Sequence, residues 1–271
     1  MEKQNIIVLG HNGMLGNMAC KYFKTKGFNV IIFNEMFCVE KRMKFISFLH
    51  KYPNAIIINC IALLSIKEYE LNKMLEVNVM LPLLIATQKL ENQRLIHAST
   101  DCVFDGKKND FYAVSEKTNA FETDYCWTKR MAEEALQGKK NTKILRTSII
   151  GFNIEGNNSL LSWFLSNKKK SEIHGFTNHL WNGITTLEWC KEAEKIGIEN
   201  DNSFKIIQLG TEKYYSKYHL LCLFQKVFQT DFKIQQKEAP QSWDLRLQPD
   251  RISQSLETQL IEMKAFWETT K

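Results

Sequence analysis

The first strand of this chain runs straight into a glycine loop, and that junction limits the fold more than any other feature. Ile6-Ile7-Val8-Leu9 is short and wholly apolar, and Gly10-His11-Asn12-Gly13-Met14-Leu15-Gly16 follows at once. Three glycines at this spacing between a strand and a helix answer three physical needs. One lets the chain turn sharply, another lets backbone approach a pyrophosphate, and the third lets the helix pack closely on the strand. The helix N-terminus then offers N–H groups and a positive dipole end to the phosphates. Gly10, Asn12, Gly13, Met14, Leu15 and Gly16 are therefore the expected contacts of a bound dinucleotide.

The segments that follow keep the strand and helix alternation. Val30-Ile31-Ile32-Phe33, Ala55-Ile56-Ile57-Ile58, Leu95-Ile96-His97-Ala98 and Lys143-Ile144-Leu145 are continuous rather than alternating, as strands covered on both faces are. Helical spacing runs from Leu15 to Lys24, from Glu68 to Leu90 with a Leu71, Leu75, Val79 stripe, and from Thr128 to Leu136. The pattern predicts an α/β protein with a Rossmann-type, doubly wound parallel sheet. Residues 1–150 are expected to form the dinucleotide-binding domain. Residues 151–271 would form mainly a smaller, C-terminal substrate-binding lobe over the sheet's carboxyl edge. Within it Asn and Gly cluster from Gly151 to Asn158, a helix follows to Leu165, and Gly175 to Thr186 is rich in turn formers. One strand, about 205–209, would return to the sheet, with helices over Ser216 to Phe228 and Ser253 to Trp267.

Composition narrows the partners. With 44% apolar residues over 271 there is ample material for a core. The net charge of +6 is spread over short blocks such as Lys168-Lys169-Lys170, without interleaved aromatics. An anionic small molecule suits that surface better than nucleic acid. The seven cysteines are an odd number and scattered, without CxxC pairs, which argues against a disulfide framework or a metal site and for a reducing compartment. No apolar run approaches the roughly 18 residues of a membrane span. The strand begins too early to leave room for a signal peptide, so a cytoplasmic location is expected.

The second strand should end at the residue that reads the adenosine ribose. Asn34, in Phe33-Asn34-Glu35, is neutral and serves NADPH or NADH equally, with Lys41 and Arg42 further along. Tyr125 and Lys129 form a Y-x-x-x-K pair that shares one helical face. A phenol with a pKa of about 10 exchanges protons poorly at neutral pH. A nearby ammonium and a bound nicotinamide lower it, so that tyrosine can act as a general acid or base.

In combination these features resemble the extended short-chain dehydrogenase/reductases, most closely the dTDP-4-dehydrorhamnose reductase group. The glycine loop, "INCIALLSI", "EVNVMLP", "ASTDCVFDG", and "YCWTK" followed by "LRTSIIG" occur in that family's order over roughly residues 5 to 151. The resemblance implies reduction of the C4 ketone of a nucleotide-linked 4-keto-6-deoxy sugar by NADPH or NADH, in deoxysugar and glycan biosynthesis. It places Thr100 on the keto oxygen with Asp101 beside it, Tyr125 as proton donor, and Lys129 on the nicotinamide ribose. Cys60, Ile61 and Ala62 would pass beside the cofactor, and Ile149 and Ile150 would lie near nicotinamide and sugar. A nucleotide-diphosphate sugar is the implied partner, and a homodimer is compatible with the sequence.

Some positions depart from the family. Cys102 stands where a tyrosine usually follows Ser-Thr-Asp, and Ile149 stands where an aromatic usually follows Arg-Thr-Ser. In the related GDP-fucose synthases the position of Cys102 is a catalytic cysteine that exchanges protons beside the ketone. A thiol, with a pKa of about 8.5 that its environment readily moves, suits that task. The alternative reading is a bifunctional epimerase and reductase, with His179 or His174 as second acid/base. The plainer explanation is that Cys102 is a small buried hydrophobe. His179, Trp181 and Asn182 would form either a substrate-contacting loop or a structured turn with a buried Trp. Arg246 and Arg251 are candidates for the diphosphate or for surface ion pairs. A third reading is a regulatory subunit that binds dinucleotide without turnover, as the methionine adenosyltransferase regulatory subunit does. Joint retention of Thr100, Tyr125 and Lys129 favours an enzyme.

Overall fold

The computed structural model describes residues 3–64, 69–154, 156, 159–167, 171–199 and 201–270. The basic block at 168–170, the end of "INCIALLSI" and the expected helix start at residue 68 lie outside them. Strand β1 (Asn5–Leu9) leads into α1 (Met14–Thr25), which returns to β2 (Asn29–Ile32). After α2 (Arg42–His50) the chain crosses to β3 (Ile56–Asn59) on the other side of β1. A long helix follows, α3 (Leu71–Leu75) passing through a π-helical stretch, Glu76–Met80, into α4 (Leu81–Gln88). Pro82 sits just past that stretch, where its missing N–H cannot continue the regular ladder.

Next come β4 (Arg94–Ala98), α5 (Asp124–Leu136), β5 (Thr142–Arg146) and β6 (Ile149–Ile150). Helix α6 (Leu160–Ser166), β7 (Glu172–Phe176), β8 (His179–Trp181) and β9 (Ile184–Thr185) precede α7 (Thr186–Ile198) and β10 (Phe204–Thr211). The chain ends with β11 (Tyr215–Ser216), α8 (Lys217–Phe228), β12 (Lys233–Lys237), β13 (Trp243–Asp244), β14 (Arg251–Ser253) and α9 (Leu256–Thr269).

Seven strands form one parallel sheet in the order β14-β10-β5-β4-β3-β1-β2, the expected Rossmann-type architecture. Alternate side chains of each central strand point to opposite layers. Ile6, Val8, Ile56 and Ile58 pack under α1 and α7, whereas Ile7, Leu9, Ala55 and Ile57 pack under α2 and α4. That two-sided burial is why the strands read as unbroken apolar runs. Fully buried Phe23 of α1 and Phe45 of α2 each contribute about 2–3 kcal/mol of transfer free energy to one layer.

The C-terminal part is more interwoven with the sheet than the division at residue 150 implies. Two strands return, β10 and β14, not one. Helix α7 was not expected from the sequence, and it lies against α1 on the sheet. Its start is nevertheless written in a T-x-x-E pattern: Thr185 caps it by accepting from the Glu188 N–H at 3.2 Å. Helix α2 was likewise unforeseen. Beyond the sheet lie three small pairings, β11-β8-β13 and β12-β7 beside α8, and β6-β9.

Candidate active site

The chain leaves β1 for β2 on one side and returns as β3 on the other, so the sheet opens a crevice at the carboxyl ends of β1 and β3. Gly10 turns there with φ +86, and a Cβ on it would crowd Cys60 and Ile61 at 3.1 Å. Gly16 is forced by packing, since its Cβ would lie 2.1 Å from the Gly10 carbonyl oxygen. Gly13 caps α1 without a side chain, so the first-turn N–H groups keep an open approach. These three observations fit a dinucleotide pyrophosphate. Asn12 is exposed on the loop, Met14 half-buried, and Leu15 is packed in the core, so Leu15 has only its backbone to offer. Asn34 is exposed two residues beyond β2, next to Glu35, which pairs with Lys44 at 2.5 Å.

Beside this crevice β3 and β4 deliver the other expected residues. Cys60, Ile61 and Ala62 line up half-buried after β3. After β4, Thr100 caps a 3-10 turn at Asp101–Val103, its Oγ1 accepting from the Cys102 N–H at 3.3 Å. The same Oγ1 is 3.1 Å from Asp101 Oδ1 and 3.4 Å from Cys102 Sγ. Helix α5 begins at Asp124, earlier than expected, because Thr123 accepts from the Cys126 N–H at 3.2 Å. That start places Tyr125 in the first turn, where Thr100, Asp101, Cys102 and Cys126 are close enough to act on its phenol. Thr100, Asp101, Cys102, Tyr125 and Cys126 thus form one cluster.

The electrostatics of the cluster follow from burial. Asp101 is lifted to about 6 by desolvation, against the hydrogen bond from Thr100 and the charge of Lys217. Tyr125 is pushed well above its ordinary value by burial, then by Cys102 and Asp101. The neighbouring thiols of Cys102 and Cys126 act on each other, with Cys102 raised and Cys126 lowered. Lys129 is only 1% exposed, and desolvation pulls it down to about 8.

Several contributing residues carried no sequence signal that had been read. Asn78, in the π-helical stretch, donates to Leu63 O and to Thr128 Oγ1, each at 3.0 Å, tying the loop after β3 to α5. Lys217 opens α8 behind its Ser216 cap, and its charge acts on both Asp101 and His179. A Ser-Lys pair at a helix start is the one signal that could have pointed to it.

The remaining candidates are placed as follows. Trp181 is buried in the core, and the Asn182 amide is used within the fold. Asn182 donates to Thr211 O at 3.2 Å and Leu247 O at 2.8 Å, and accepts from the Leu247 N–H at 2.9 Å. His179 Nε2 meets Gln241 O at 3.1 Å. His174 is exposed on β7 beside Glu172. Arg246 clasps Asp244 at 2.7 and 2.5 Å and lies between the rings of Phe111 and Tyr214. Arg251 pairs with Glu199 and, at 3.6 Å, with Glu192. Ile149 is half-buried in β6, paired with Ile184, and Ile150 is buried.

Residues 4–174 match the family model of the RmlD substrate binding domain. Among curated proteins the chain is similar to the spore coat polysaccharide biosynthesis protein SpsK of Bacillus subtilis (strain 168), with 26% identity over 219 residues, 78% of this chain and 75% of that protein. The crystal structure of a dTDP-4-dehydrorhamnose reductase from Clostridium acetobutylicum superposes with a TM-score of 0.81 at 20% identity, covering 98% of this chain and 100% of that one. That of dTDP-4-dehydrorhamnose reductase from Bacillus anthracis str. Ames in complex with NADP gives 0.83 at 16%, covering 99% and 100%. At such identities the structural likeness establishes the fold.

Proposed function

The chain belongs to the RmlD substrate binding domain family, and from that premise we propose that it reduces the C4 ketone of a nucleotide-linked 4-keto-6-deoxy sugar with NADPH or NADH. The motif resemblance and the family model agree. The observation that carries the reading is the buried grouping of Thr100, Asp101, Tyr125 and Lys129 at the sheet's carboxyl edge, beside the Gly10–Gly16 cradle. The NADP complex of the Bacillus anthracis reductase, which shares this fold, supports the cofactor class. SpsK, named for spore coat polysaccharide biosynthesis, supports a role in surface-glycan assembly.

The chemistry follows from the cluster. Bound at the glycine loop, the cofactor supplies the hydride. Tyr125, kept protonated by burial, donates its proton to the keto oxygen, and Thr100 is a second donor to the charge that develops there. Lys129 holds the nicotinamide ribose, with Asn34 at the adenosine end. Asp101 and Lys217 orient the sugar, while Ile149 bounds its apolar side. Incubation with NADPH and a panel of nucleotide-linked 4-keto sugars tests the reading. Cofactor oxidation with at least one is expected, and none with any would overturn it.

A second reading is favoured by one observation, the thiol pair. Cys102 Sγ stands 3.4 Å from Thr100 Oγ1, beside the position proposed for the keto oxygen, with Cys126 as its neighbour. Such a pair suits epimerisation beside the ketone. Deuterium from solvent at C3 or C5 of the product supports it; its absence removes it.

A further inference from the structure

Lys217 stands where a cation meets three separate costs. It opens α8 directly after the Ser216 cap, whose Oγ accepts from the His219 N–H at 3.2 Å. The first turn of a helix is the positive end of its dipole, where a further positive charge is disfavoured. Burial adds desolvation, which lowers Lys217 from its ordinary value. The ammonium also makes no hydrogen bond or ion pair among the described residues. Other basic residues of the candidate set do have acceptors. Arg246 meets Asp244 at 2.5 Å, Arg251 meets Glu192 at 3.6 Å, and Lys129 donates to the Ala98 carbonyl at 2.6 Å. Asp101 acts to keep Lys217 charged, but from beyond ion-pair distance, and Asp101 is itself lifted by burial.

The surroundings of Lys217 say what would answer its charge. β11 pairs with β8, Tyr215 with Trp181 and Ser216 with Leu180, and that pairing fixes where α8 begins. Lys217 is thereby set to act on His179 at the start of β8 and on Asp101 in the turn after Thr100. A desolvated cation with no counter-charge is costly, and an anion arriving with a ligand removes that cost. We propose that Lys217 holds the diphosphate of the substrate and so restricts turnover to sugars that carry one. The inference rests on the reading of the chain as a reductase of nucleotide-linked sugars. In such a substrate the sugar ring separates the C4 ketone from the anomeric phosphate. Thr100 and Tyr125 would meet the ketone and Lys217 the phosphate, with Asp101, which neighbours Thr100 and feels Lys217, on the ring between them. Anchoring the phosphate orients the ring, so the same contact that binds the substrate also turns its ketone toward Tyr125.

The test is calorimetric titration of the full chain, with saturating NADPH present, against UDP, dTDP, GDP and CDP. At least one of them should bind. Lys217→Met should weaken that binding by about tenfold to a hundredfold, the range for a hydrogen bond to a charged group. Affinity for NADPH, which carries phosphates of its own, should stay as in the wild type. In the wild type the bound diphosphate should also protect Lys217 from acetic anhydride, as peptide mass mapping reads, and NADPH alone should not. That protection decides the question if Lys217→Met does not fold. Equal diphosphate affinity in wild type and Lys217→Met overturns the proposal. So does a parallel loss of NADPH affinity, a failure of all four diphosphates to bind, or an unprotected Lys217. No turnover enters these outcomes. Diphosphate binding that depends on Lys217 stands even if no 4-keto sugar oxidises NADPH, a result that would overturn the reductase reading alone.

Discussion

Arg146 grips Glu133 with two hydrogen bonds, 3.1 Å from Nε to Oε1 and 2.6 Å from Nη2 to Oε2, and both side chains are almost sealed from water. Ser99 adds a third bond to Oε1 at 2.6 Å, and Arg146 Nη1 donates to Gln208 Oε1 at 2.8 Å. The pair ties α5, which carries Tyr125 and Lys129, to the end of β5, and Ser99 joins it to the end of β4 beside Thr100. Removing one partner strands a buried charge, so Glu133→Ala should lose about 3–5 kcal/mol in urea unfolding. Replacing both, as Glu133→Leu with Arg146→Met, should lose clearly less. Equal losses would mean that geometry, not uncompensated charge, dominates.

Asp101 sets a pH dependence of stability. Its native pKa of about 6 lies above the ordinary 3.8, so between those values the folded state binds more protons than the unfolded chain. Stability from this group therefore falls as pH rises from about 4 to 6. Above 6 the full destabilisation is present, on the order of 3 kcal/mol for a shift of about two units. Asp101→Asn should be more stable than wild type at pH 7.5 and no more stable at about pH 4. Melting curves at the two pH values check it. The variant should also turn over sugar more slowly, since Asp101 orients it in the proposed reaction.

The thiols should differ in reactivity. Cys126 is lowered and Cys102 raised, each acting on the other. Iodoacetamide at pH 7.5 should label Cys126 before Cys102, as peptide mass mapping reads. Cys102→Ala removes the neighbouring thiol, and labelling of Cys126 should slow by about tenfold for each unit its pKa rises. An unchanged rate would show that Cys102 has no influence on the thiolate.

Tyr125→Phe deletes the proposed acid while keeping the ring. A loss of about 10²–10⁴ in kcat is expected, with NADPH binding followed by fluorescence little changed. Thr100→Val should lose less, and the double variant less than the product of the two, because the hydroxyls act as a unit.

Much of the architecture was legible because it is written locally. The unbroken apolar runs at β1, β3, β4 and β5 mark strands covered on both faces, and the glycine spacing after β1 marks a close helix and strand contact. Tyr125 and Lys129 announced themselves by helical spacing, and Thr100 by its motif. Helix α7 stayed hidden because a turn-rich stretch precedes it and its capping pattern is two residues in four. Trp181 and Asn182 read equally well as loop or core, since nothing within ten residues tells which side of the chain meets the sheet.

The sequence by itself determined the parallel sheet, the cradle at its switch point and the residue types that reach its carboxyl edge, because periodicity, glycine conformation and strand ends are local properties. Only the tertiary structure decided what each polar group faces. Asn59, His97 and Lys129 come together across separations of 38 and 32 residues, and Arg246 meets Asp244 and two aromatic rings. Charge state and hydrogen-bond direction depend on burial and on such distant partners, and no spacing along the chain records them.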